Sequence, residues 1–130
     1  MKRLFLAILV ATSAAAPAAA SAPIEGRWKN GKMEIIIAPC GQELCGTVVK
    51  ASPKALAKAK EGSGTRLIGA RLITDIERAS PGHYKARVFV ADRNIHARGT
   101  IRQLNGNQLA VKGCLLAVFC KSATWDRVAR

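Results

Sequence analysis

Apolar and polar residues alternate along most of the chain in short runs separated by turn signals, and a period of two places successive side chains on opposite faces of a strand. The clearest run is 95–104, where Ile95, Ala97, Gly99 and Ile101 alternate with His96, Arg98, Thr100 and Arg102. It predicts a half-buried strand with a basic outer face. Ahead of it, Gly26-Arg27-Trp28 opens the first strand, and Asn30-Gly31 predicts a tight hairpin because both residues tolerate positive φ. Strands over 33–38 and 45–50 follow, joined through Pro39-Cys40-Gly41, the second of them rich in extended-chain formers at Thr47, Val48 and Val49. Pro81-Gly82 turns the chain into a strand over 84–91, and Asp92-Arg93-Asn94 turns it again. Asn105-Gly106-Asn107 then leads to strands over 108–113 and 121–128.

Two segments depart from this pattern. In 52–60, Ser52 can cap a helix, Pro53 suits its first position, alanines and lysines propagate it, and Gly62 can end it. Its lysines predict a solvated connector. Residues 67–76 fit either period: Ile68, Leu72, Ile73 and Ile76 form a helical stripe, whereas their branched side chains and Gly69 favour a strand from about Arg71. Seven or eight strands joined by hairpins bury one face only by curling into a barrel or a sandwich. The expected architecture is a small all-β antiparallel barrel with one short connecting helix, its interior filled by its own side chains.

The first residues follow a different pattern. Lys2 and Arg3 precede an apolar run over 4–10 and then small residues, as in a cleavable export signal. Small-x-small sites end at Ala20 and at Ala22, and Pro23 would hinder a cut at the second, so cleavage is expected before Ser21. The apolar run is shorter than the roughly 20 residues that span a bilayer, so no transmembrane anchor is expected. No cysteine lies near either site to carry a lipid. The expected organisation is a signal peptide over 1–20 and a single domain over 21–130, working in the periplasm.

Export changes the reading of the cysteines. Cys40, Cys45, Cys114 and Cys120 all lie in the exported part, and an even count in an oxidising compartment predicts two disulfides. Export disfavours a zinc site, and neither pair has the Cys-x-x-Cys spacing of a redox site. Both pairs flank turns, so Cys40 is expected to pair with Cys45 and Cys114 with Cys120; with eight strands the two turns lie at opposite ends of the barrel.

Charge narrows the partners. The formal net charge is +13, of which Lys2 and Arg3 belong to the leader, leaving +11 on the remainder. Such a field attracts polyanions. Lys85 and Arg87, Arg98 and Arg102, and Lys112 fall on polar positions of successive strands and would lie side by side on one outer surface. That surface is either a generic solvated face or a candidate dock for an anionic envelope lipid or glycan. Few aromatic residues are available to stack on bases, which disfavours nucleic acid as a partner. His83 and His96 read as surface residues, and among eight acidic residues no carboxylate pair stands out. No catalytic motif is present, and no cofactor or metal is expected. Trp28 and Trp125, near the first and last strands, are expected to close the barrel with Arg127 over an indole face, the alternative being a pocket lining.

Gly26-x-Trp28, Pro39-Cys40-Gly41-x-x-Leu44-Cys45-Gly46, Gly113-Cys114, Cys120 and Thr124-Trp125-x-Arg127-Val128 together resemble the bacterial family known as domain of unknown function 2147. The resemblance covers nearly all of 21–130. It implies an exported protein with a lipocalin-like antiparallel barrel and implies no particular activity, cofactor or catalytic residue. The resulting expectation is a non-enzymatic binding or interaction module of the bacterial envelope with peripheral membrane contact. A purely structural envelope protein and an enzyme of unrecognised motif are the alternatives.

Overall fold

Alternating burial organises the chain into eight strands and one helix in a computed structural model, which describes residues 10–11, 23–115 and 119–128. The expected signal peptide and its cleavage site lie outside the described residues. The strands are β1 (Gly26–Lys29), β2 (Met33–Cys40), β3 (Glu43–Ala51), β4 (Arg71–Ser80), β5 (His83–Val90), β6 (Ile95–Asn105), β7 (Gln108–Leu115) and β8 (Phe119–Arg127). The helix α1 (Pro53–Ser63) joins β3 to β4. Each strand pairs antiparallel with the next, and β1 pairs with β8 through Trp28 opposite Arg127 and Lys29 opposite Asp126, closing the barrel. The ambiguous segment 67–76 resolves into a loop, with Leu67 buried in it, followed by β4 from Arg71.

Two local expectations need correction. Asn30 and Gly31 do not adopt positive φ. Their turn is held instead by the Asn30 side-chain oxygen, which accepts from the Lys32 and Met33 backbone N–H groups at 2.8 and 2.9 Å, an Asx-type turn. The helix runs past Gly62 to Ser63, and it is Gly64, in the left-handed region at φ 69, that donates back to Lys60 and ends it. Its start is as expected: the Ser52 Oγ accepts from the Ala55 N–H at 3.1 Å, and Pro53 occupies the first turn. Nor is α1 only a solvated connector. Ala59 is buried, Ala55 packs on the core, and Gly62 lies directly against the Asp92 backbone, so one face of the helix leans across an end of the barrel.

Both disulfides join the expected partners, Cys40 with Cys45 across the β2–β3 turn and Cys114 with Cys120 across the β7–β8 connection. With eight strands these connections fall at opposite ends of the barrel.

Candidate functional site

The two ends of the barrel are built differently. At the end holding the β2–β3, β4–β5 and β6–β7 turns, large side chains fill the interior: Trp28, Ile37, Ile101 and Leu109 are almost wholly inaccessible. Arg127 seals this end. Its guanidinium lies 4.2 Å from the Trp28 ring centroid and donates to the backbone carbonyls of Gly106, Glu25 and Pro23 at 2.8, 3.0 and 2.7 Å. The Trp28 Nε1 donates in turn to the Ile24 carbonyl at 2.9 Å. A planar cation can stack and donate at once, which ties β8, the β6–β7 turn and the segment before β1 together.

At the other end the interior is not filled, contrary to the expectation of a solid barrel. A cavity of about 410 Å³ opens between α1, the β1–β2 turn, the β5–β6 turn and the start of β8. Ile35, Leu72, Ile73, Val88 and Val111 form its apolar wall, and Trp125 lies at its inner end. The volume arises from small residues. Gly113, Ala97 and Ala123 face it where large side chains would fill it, and a Cβ placed on Gly113 would meet nothing closer than Ala97 and Val88 at 4.0 Å. Gly99, one strand over, is different: its Cβ would stand 2.6 Å from the Val88 side chain and 3.0 Å from the Lys112 carbonyl, so glycine there is required by close packing.

The cavity mouth is charged. Lys32 from the β1–β2 turn, Lys58 from α1, Arg93 from the β5–β6 turn and Lys121 from β8 surround it, with Asp92 as the only acidic lining residue among those described. Lys121 is on the inward register of β8, since it lies opposite Gly113 just as Trp125 lies opposite the fully buried Leu109. The Trp125 Nε1 is buried and has no hydrogen-bond partner among the described residues.

The two tryptophans therefore divide the roles considered for them. Trp28 belongs to closure with Arg127, whereas Trp125, expected beside them, lines the cavity. The five candidate polyanion-binding residues come together. Lys85, Arg87, Arg98, Arg102 and Lys112 are all exposed on β5, β6 and β7, with Arg87 directly opposite Arg98, and Lys85 and Lys112 both opposite Thr100. No acidic residue occurs on these three strands, and none of the five is ion-paired among the described residues, where the one salt bridge is Arg27 to Glu34 at 2.7 Å. His96 stacks on Phe89 with centroids 4.7 Å apart, and His83 is exposed at the β4–β5 turn. Among the described residues no group of His, Cys, Asp or Glu is arranged to hold a metal ion.

The rim cations were missed in sequence because they come from four separate elements. Only Lys121 carries a sequence signal that could have found it, its two- and four-residue spacing from Ala123 and Trp125 on an alternating strand. Another unforeseen cluster sits on the outer wall near the sealed end, where the Glu43 carboxyl is raised from 4.5 to about 7. The causes are hydrogen bonding with the Glu77 carboxyl and then with Asp75, reinforced by partial burial and by both negative charges. Asp75 sits at φ 51, where the β4–β5 register shifts between Thr74 and Glu77.

A family model described as an uncharacterized protein conserved in bacteria, DUF2147, matches residues 26–127. Among solved structures, the chain is similar to protein HP1028 from the human pathogen Helicobacter pylori, described as belonging to the lipocalin family. The TM-score is 0.61 at 12% identity, over 81% of this chain and 82% of that one. No curated protein matches the sequence.

Proposed function

This chain belongs to the bacterial DUF2147 family, and from its lipocalin-like barrel we propose a non-enzymatic module of the bacterial envelope that holds a small apolar or amphiphilic ligand inside the barrel. One observation carries the reading: an apolar cavity of about 410 Å³, open at one end and sealed at the other. That volume lies within the roughly 300–1,000 Å³ of small-molecule sites, and its walls supply mainly dispersion contact and burial of apolar surface. Two disulfides suit an oxidising compartment and support export to the periplasm, as does the leader pattern of 1–20.

Titration with an uncharged apolar fluorescent dye tests this, comparing the exported protein with its Gly113→Leu variant. The added side chain starts from a position with free space and grows into the cavity. Saturable one-to-one binding that weakens at least about tenfold in the variant, with both disulfides and the folded spectrum retained, is the expected result. Equal binding by the two proteins, or none by either, would refute the cavity as the site.

A second activity is supported by a separate observation, the five exposed cations on three adjacent acid-free strands. Here the outer face of β5–β7 docks the protein on anionic lipid headgroups or glycans of the envelope, peripherally and through screened charge.

A further inference from the structure

We propose that the ligand is a single-chain amphiphile with an anionic head, its chain in the barrel and its head held at the mouth by Lys32, Lys58, Arg93 and Lys121. This rests on the cavity being the binding site and adds the chemical class of what enters it. The first ground is the charge around the opening. Four different elements each contribute one exposed cation, and among the described lining residues only Asp92 opposes them. A low-dielectric funnel ringed by one sign of charge concentrates the field at its entrance, where it favours an anion over a neutral or cationic head.

Capacity is the second ground. A cavity of about 410 Å³ holds about a dozen methylenes if each takes close to the roughly 30 Å³ share of a water molecule. One medium-length chain fits, and the two long chains of a diacyl lipid do not. Polarity along the axis is the third. From Lys121 to Trp125 the inward face of β8 runs from charged through Ala123 to aromatic, over about 13 Å at 3.3 Å per residue. This gradient matches a head at the rim and a chain reaching toward the indole.

Competition for the dye site distinguishes the alternatives, using dodecanoate, dodecyl phosphate, dodecanol and dodecyltrimethylammonium below their micelle concentrations. Dodecanoate and dodecyl phosphate are expected to displace the dye about tenfold more tightly than dodecanol at low salt, with the gap closing as salt rises. The dodecyltrimethylammonium cation should be the weakest. In Lys58→Gln with Lys121→Gln, the preference for the anion should fall away while dodecanol binds as before. In Arg87→Gln with Arg98→Gln, on the outer face, it should persist.

Dye binding with dodecanol equal to dodecanoate would overturn the anionic head and leave the cavity reading standing. So would a preference that survives the rim substitutions or disappears with the outer ones. Absence of dye binding altogether would remove both. A preference for dodecanoate over dodecyl phosphate, or the reverse, separates carboxylate from phosphate sources of the same anionic chemistry.

Discussion

Replacing Gly62 by alanine in α1 should destabilise the protein and disturb its cavity, although in an exposed helix the same change stabilises. Intrinsic propensity favours alanine over glycine by up to about 1 kcal/mol. Against this, a Cβ on Gly62 would stand 2.0 Å from the Asp92 carbonyl oxygen and 2.3 Å from its carbon, where ordinary contact begins at 3.4 Å. Relief requires a separation of about 3.4 − 2.0 = 1.4 Å between the helix and the β5–β6 turn. The opposing atoms are backbone and cannot rotate away. Overpacking of this kind costs about 1–3 kcal/mol, which outweighs the propensity gain. Because the overlap is with backbone, the cost falls in the upper part of that range, about 2–3 kcal/mol, so the expected net loss is about 1–2 kcal/mol, a fall of about 5–10 °C in Tm for a domain of this size. Because Ala55, Lys58 and Ala59 line the cavity from the same helix, dye affinity should change as well. Thermal denaturation by circular dichroism, with Glu61→Ala as an exposed control, measures the first effect and dye titration the second. A Gly62→Ala protein as stable as the parent or more so, with unchanged dye binding, would refute the close seating of α1 on the turn.

Three further outcomes are expected. A carbon-detected NMR titration should place the Glu43 midpoint near 7; a carboxyl pKa raised by folding contributes stability that is full below about 4.5 and lost as pH rises through about 7, and Glu43→Gln should remove that pH dependence. Substituting Arg87, Arg98 and Arg102 together by glutamine should weaken binding to anionic vesicles about 100-fold at low salt, at about 1 kcal/mol per cation, and equal binding by parent and variant would eliminate the outer face as a dock. Cys40→Ser with Cys45→Ser should cost about 2 kcal/mol in chemical denaturation, the value for a short loop, and leave Cys114–Cys120 intact by peptide mapping.

Strand order and closure were legible in the sequence because alternation is a local signal. Ile95 through Arg102 shows its inward and outward sets without any knowledge of neighbours, and the cysteine pairs flank turns that bring them together. The outer basic face followed from the same alternation. The cavity did not, because an unfilled volume depends on which small residues meet across the barrel. Ala97, Gly113 and Ala123 come from three strands, and nothing in their sequence positions sets them against one another. The seating of α1 was hidden for a related reason. Alanines and lysines signal a helix, but the contact of Gly62 with Asp92 joins elements 30 residues apart in sequence. Trp125 and Trp28 look equivalent in sequence, and only their registers separate a sealing residue from a lining one.

Native mass spectrometry of the protein purified from its own host, followed by lipid extraction, tests most directly whether the barrel carries a ligand. The expected spectrum shows the chain from Ser21 with two disulfides and one equivalent of a small amphiphile. That ligand should be released on denaturation and absent from Gly113→Leu. A bare polypeptide mass together with an extract free of any stoichiometric small molecule would contradict it.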